Sequence, residues 1–269
     1  MPMPANRPMT AMPPVLISLA SFGAAEVMRH GQRHFAELSR DAGADGVEVR
    51  GELLHADADA GAAELAGLRE VGNVAVYSEP EGLWTTAGAL NTAALQGAQD
   101  RAARLGAARF KMSIGGFGRH SVASLAELKS RLAGTAAELV IENDQTAVAG
   151  TLGALRLFFA AADAAGLALP MTFDLGNWHY LGECPLQAAA AFGARVGYVH
   201  TKGVQRRPDK WVAVPLAESS APWRAVLRAL PANVPWAIEY PLAGDDLPAV
   251  VRHELGVLRT AAALQGVGA

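Results

Sequence analysis

Met171-Thr172-Phe173-Asp174-Leu175-Gly176-Asn177 is a short apolar run that stops at a carboxylate, and the same pattern recurs along the chain. Glu138-Leu139-Val140-Ile141-Glu142-Asn143-Asp144 has it upstream. Gly197-Tyr198-Val199-His200-Thr201-Lys202 and Trp236-Ala237-Ile238-Glu239-Tyr240 have it downstream. Apolar runs of this length suit parallel strands covered on both faces. Upstream of all of these, strands are expected at Leu16–Leu19, Gly46–Val49, Val74–Tyr77 and Phe110–Ser113. Together with Leu139–Glu142, Met171–Asp174, Val196–His200 and Trp236–Glu239, that makes eight. The fourth is weaker, because Lys111 interrupts it.

Helical spacing fills the intervals. Val148, Leu152, Leu155 and Phe159 share one helix face, as do Val122, Leu125, Leu128 and Leu132. Ser124 with Glu127 has the form of a capping box. Ala56–Ala66 is alanine-rich, and Val251, Leu255 and Leu258 mark the stripe of a last helix. Gly43, Gly106 and Gly166 each stand where a helix ends in a left-handed residue. Strand–helix units repeated eight times imply parallel pairing through right-handed crossovers. The expected fold is therefore α/β, a (β/α)8 TIM barrel over residues 15–265, with a flexible, proline-rich tail at 1–14. An open doubly wound sheet fits less well, since Ser21-Phe22-Gly23-Ala24-Ala25 lacks the glycine fingerprint such folds carry after their first strand.

Composition excludes several function classes. Hydrophobic residues make up 51% of the 269, yet no apolar run is long enough to span a bilayer. The net charge of −3 supplies no basic field for nucleic acid. A single cysteine, Cys184, allows no internal disulfide and suits a reducing cytoplasm. A homo-oligomer is compatible with the sequence, which specifies no oligomeric state.

In a (β/α)8 barrel the C-terminal strand ends build the site. Glu142, Asp174, His200 and Glu239 each occupy such an end on four neighbouring strands, where alternation can turn all four inward. Three unpaired carboxylates in one pocket would repel one another, and a dication removes that conflict. Oxygen-rich ligation with one nitrogen favours Mn²⁺, with Mg²⁺, Co²⁺ and Zn²⁺ as alternatives. Lys111 and Glu48 are placed to face the barrel interior, where a buried charge needs a partner. Lys202, Arg206 and Arg207 lie in the long loop after the seventh strand. Trp178, His179 and Trp211 are candidate pocket walls, and Ser18, Ser21 and Phe22 stand at the end of the first strand.

Gly46-Val47-Glu48-Val49-Arg50, Ile141-Glu142-Asn143, Phe173-Asp174-Leu175-Gly176-Asn177, Val199-His200-Thr201-Lys202 and Ile238-Glu239 occur in an order that resembles the xylose isomerase-like barrels of the sugar phosphate isomerase/epimerase family. The resemblance implies that Glu142, Asp174, His200 and Glu239 bind the metal and that Glu142 and Glu239 also move protons. It places Arg206 near substrate. Asn177 stands where similar epimerases carry a histidine, and it joins Glu48, Lys111, Lys202 and Arg206 as a candidate substrate-binding residue. The implied activity is isomerisation or epimerisation of a small sugar or hydroxy-keto acid through an enediolate. The alternative is a dehydratase of the inosose or 3-dehydroshikimate type. A multi-zinc phosphodiesterase needs further histidines, and of the seven present only His200 is expected at a strand end.

Overall fold

In a computed structural model, which describes residues 12–266, ten strands are formed. They are β1 (Val15–Ser18), β2 (Gly46–Arg50), β3 (Val74–Ser78), β4 (Arg109–Ser113), β5 (Glu138–Glu142), β6 (Met171–Asp174), β7 (Val196–Thr201), β8 (Gly203–Arg206), β9 (Trp211–Val214) and β10 (Trp236–Ile238). Eight of these close into a parallel barrel in the order β1-β10-β7-β6-β5-β4-β3-β2. All eight expected strands are present, with ends shifted by a residue or two. Glu239 is one such shift: it lies just past β10, with its N–H donating to Thr201 O at 3.1 Å. Of the expected tail, residues 1–11 lie outside the described residues. Pro13 is buried and Pro14 O accepts from Trp236 N at 2.9 Å, so the chain is tied to the barrel before β1.

The barrel interior is layered, as its alternation demands. Leu16, Val76, Tyr198 and Ala237 form a small apolar cluster. Nearer the C-terminal mouth, the inward positions become polar or charged. Ser18 pairs with Glu48, Arg50 with Ser78, and Ser78 in turn with Lys111. Lys111 therefore interrupts the apolar run without breaking the strand, because its side chain enters the interior and is only 1% exposed. The larger core lies between barrel and helices and includes Val251, Leu255 and Leu258 of the helix Leu247–Gly266.

Two helix details differ from expectation. The helix Leu152–Ala164 starts at Leu152, capped by the Thr151 hydroxyl, which leaves Val148 outside it and 60% exposed. Ser124 forms no capping box, since a 3₁₀ turn over Arg119–Ser124 runs directly into Leu125–Leu132 and gives Ser124 helical backbone angles. Its hydroxyl instead donates to Ser121 O and accepts from Trp84 Nε1, and Val122 stays exposed. The glycine reading holds: Gly43, Gly106 and Gly166 have φ of 96°, 72° and 70°. The long loop after β7 is an antiparallel hairpin, β8 against β9, closed by Arg207 N donating to Lys210 O. Val204, Val212 and Val214 carried that signal in a stretch otherwise too polar to read as strand.

Candidate metal centre

Asp174 and His200 are paired directly in the β6–β7 ladder, so their side chains leave the barrel wall at one height. Asp174 is held rigidly. Its Oδ1 accepts from the N–H groups of Gly176 (2.7 Å) and Asn177 (2.9 Å). Asn143, next to Glu142, brackets its backbone: Asp174 N donates to Asn143 Oδ1, and Asn143 Nδ2 donates to Asp174 O. That leaves Asp174 Oδ2 aimed inward. Around it stand His200 Nδ1 at 3.9 Å, Glu142 Oε1 at 2.9 Å from that nitrogen, and Glu239 Oε2 also at 2.9 Å from it. One donor atom from each of Glu142, Asp174, His200 and Glu239 lies within 4.8 Å of the others. This group could hold a metal ion.

The donor set fits that role. Asp174 Oδ2, Glu239 Oε2 and His200 Nδ1 are buried, and none completes a well-directed hydrogen bond within the protein. Carboxylates converging in a buried pocket need positive charge among them, which Lys202 supplies in part and a dication would complete. The other ring nitrogen of His200 is fixed by Glu48 Oε2 at 2.8 Å, the carboxylate–histidine arrangement that orients a metal-binding imidazole. Glu48 is itself pinned by the Tyr198 hydroxyl at 3.0 Å.

Three cations thread this acidic group. Lys111 Nζ lies 2.8 Å from Glu142 Oε2 and 3.2 Å from Glu48 Oε1. Arg50 Nη1 lies 2.7 Å from Glu239 Oε1 and 3.2 Å from Glu48 Oε1. Lys202 Nζ lies 2.8 Å from both Asp174 Oδ2 and Glu239 Oε2. Ionisation follows these contacts. Burial pushes Glu48 up, but the charges of His200 and Lys111 outweigh it and hold the carboxyl far below the usual range. Glu142 is lowered in the same way by Lys111 and His200, and Glu239 by His200 and Lys202. Asp174 goes the other way: burial, with Glu239 beside it, raises its carboxyl to about 7 despite Lys202.

No family model matches the chain, and no curated protein matches it in sequence. Solved structures match it over nearly its whole length. A xylose isomerase domain-containing protein from Salmonella typhimurium superposes with a TM-score of 0.65 at 14% identity, covering 94% of this chain and 97% of its own. What the two share is the fold, a closed parallel barrel of eight strands. An L-ribulose 3-epimerase gives a TM-score of 0.69 at 16% identity (96% and 99% covered), and a probable 3-DHS dehydratase from Bacillus anthracis gives 0.65 at 14% (91% and 98%). One barrel fold thus carries more than one chemistry, and the choice between them rests on the site.

Of the expected site residues, Glu48, Lys111, Glu142, Asp174, Lys202, His200 and Glu239 are brought together. Arg206 is not. It is exposed on the hairpin, with its guanidinium 5.8 Å from the Trp211 ring centroid. Asn177 is adjacent but engaged: its amide donates to Asn143 O and accepts from Gln145 and Lys202. Trp178 is fully buried against Phe173 and Phe192, as core rather than wall, and Phe22 stacks on Phe35. His179 packs on Trp211 at 5.0 Å. Ser21 lines a cavity of about 280 Å³ with Lys202, Glu239 and Tyr240, at the mouth beside the cluster. Arg50 and Tyr198 were missed as site residues. Alternation could have found both, since Arg50 is two residues from Glu48 and Tyr198 two from His200 on the same strand faces.

Among the described residues no helix is long and apolar enough to cross a membrane.

Proposed function

We propose that this protein is a divalent-metal-dependent isomerase or epimerase of a small hydroxy-carbonyl compound, a sugar or hydroxy-keto acid. The carrying observation is the convergence of Glu142, Asp174, His200 and Glu239 on one point beside an open cavity. Mn²⁺ is the favoured ion on ligand chemistry. A bound dication supplies Lewis-acid polarisation of a carbonyl and so acidifies the neighbouring C–H. Glu142 and Glu239 are the proton carriers of the reading. Lys111 with His200 keeps the Glu142 carboxyl ionised, and His200 with Lys202 the Glu239 carboxyl, which is the form a base needs at neutral pH. One takes the proton from the carbon next to the carbonyl, and the other returns a proton to that carbon or its neighbour. Glu48 holds the His200 ring in position, and Asn143 with Asn177 holds the turn that aims Asp174.

The test is incubation of Mn²⁺-loaded protein with ketoses, inososes and 3-dehydroshikimate in D₂O. Isomerisation is expected to leave the composition intact with deuterium gained at carbon, whereas loss of water would assign the dehydratase chemistry instead. Exchange with none of them would count against the reading.

Metal addition is expected to stabilise the fold. At a hundredfold excess over Kd the linkage contributes about 2.7 kcal/mol, or roughly 5 °C in melting temperature for a chain of this size. Asp174→Asn keeps the turn acceptor but loses the charge, and its melting temperature should no longer respond to Mn²⁺. A response equal to wild type would show that the ion binds elsewhere.

Affinity should also depend on pH in a defined direction. Coordination needs the Asp174 carboxylate and a neutral His200 nitrogen, yet Asp174 is raised to about 7 and His200 well above its usual value, burial notwithstanding, by Glu239 and Glu48. Binding must therefore release protons, so Mn²⁺ affinity should rise as pH increases through 7 and beyond. Calorimetric titrations at pH 6, 7 and 8 would show it, and a flat profile would contradict it.

A further inference from the structure

Lys202 differs from the other two buried cations in what remains to it when its neighbours are engaged. Arg50 keeps Glu48 and also Glu52, 2.8 Å from its Nη2. Lys111 keeps Glu48. The carboxylates paired with Lys202 are Asp174 and Glu239, and it meets both through the oxygens that face His200 Nδ1. Those are the atoms a cation at the centre would claim. Its remaining polar partner is Asn177 Oδ1 at 3.0 Å, a neutral acceptor.

The side chain is held where this conflict cannot be escaped. A Cβ on Gly176 would come within 2.8 Å of Lys202 Cγ and Cδ, so the absent side chain there makes room for the lysine stem. Lys202 lines the cavity at the mouth, and Glu239 is the acid it meets there. The other lining groups are Ala20, Ser21, Gly23, Ala213, Tyr240 and Pro241, none of which is an acid.

We infer that Lys202 is an anchor for an anionic group of the substrate, so that the ligand is a hydroxy-keto acid rather than a neutral sugar. The inference rests on the metal reading above. With Asp174 and Glu239 shared with a dication, the ammonium has a positive neighbour and no carboxylate of its own. A carboxylate carried into the cavity supplies the missing counter-charge, and a hydroxymethyl group does not.

The experiment uses two pairs of compounds that differ only in carboxylate against hydroxymethyl: hydroxypyruvate against dihydroxyacetone, and 2-keto-D-gluconate against D-fructose. Mn²⁺ is titrated first by calorimetry, and its failure to bind would overturn the metal reading and this inference together. With Mn²⁺ bound, the acid of at least one pair is expected to bind about tenfold or more tightly than its neutral partner, the size of one added charge-assisted contact. Lys202→Met should bring that ratio near one, and Lys202→Arg should keep most of it. Equal affinity within both pairs, including no measurable binding, would overturn the inference while leaving the metal reading standing. So would a ratio that survives in Lys202→Met, because the acid would then be held by chelation alone. If Lys202→Met does not fold, Lys202→Gln replaces it under the same criteria.

Discussion

Glu239→Gln is expected to lower turnover by about 10²–10⁴-fold while Mn²⁺ stays bound. The amide has the shape of the carboxylate and offers an oxygen to an ion, but it cannot accept a proton from carbon. Glu239 is also the acid where the site's charges meet, within 2.9 Å of His200 Nδ1, Arg50 Nη1 and Lys202 Nζ. In the metal-free protein its neutralisation leaves Arg50 with Glu48 and Glu52, and Lys202 with Asp174, so the cations stay partnered and the fold should persist. The measurements are Mn²⁺ affinity by calorimetry and deuterium exchange at the substrate carbon, made on one preparation. A variant that binds Mn²⁺ and exchanges at the wild-type rate would remove Glu239 from the proton path.

Lys111→Met should cost about 3–5 kcal/mol of folding free energy in metal-free buffer, the range found when one member of a buried ion pair is deleted. Methionine fills much of the same space, so the loss is electrostatic. Glu48 and Glu142 would remain buried in the barrel with one cation fewer. The pH dependence has a sign. Both carboxyls are held below their ordinary range in the folded chain, so the stability they derive from Lys111 is present above the ordinary carboxylate pKa and is lost as pH falls. The gap between variant and wild type in urea unfolding should therefore narrow in acid. Adding Glu48→Gln to Lys111→Met should recover part of the loss. A cost below about 1 kcal/mol at pH 7 would mean that the interior tolerates those charges without the lysine.

Much of this is legible in the sequence. Strand positions followed from apolar runs punctuated by glycine, and the four ligand candidates followed from one rule about where barrel sites lie. The hairpin Gly203–Val214 was not legible, because short two-stranded ribbons with exposed charged residues lack both the length and the clean alternation that mark a strand. Arg206 was placed near substrate by the family resemblance alone; its position is fixed by the ribbon that carries it, where it is exposed beside Trp211. The Ser124 capping box failed because a capping sequence needs an extended backbone angle, and the preceding 3₁₀ turn removes it.

By itself the amino-acid order determined the repeated strand–helix plan and which residue types stand at each strand end, since periodicity and turn chemistry act over a few neighbouring positions. Which charges touch was decided by closure of the barrel. Arg50 meets Glu239, and Glu48 meets His200, across most of the chain's length, and the stagger between strands sets those meetings. No local pattern encodes that offset, because it is a property of the whole ring of strands.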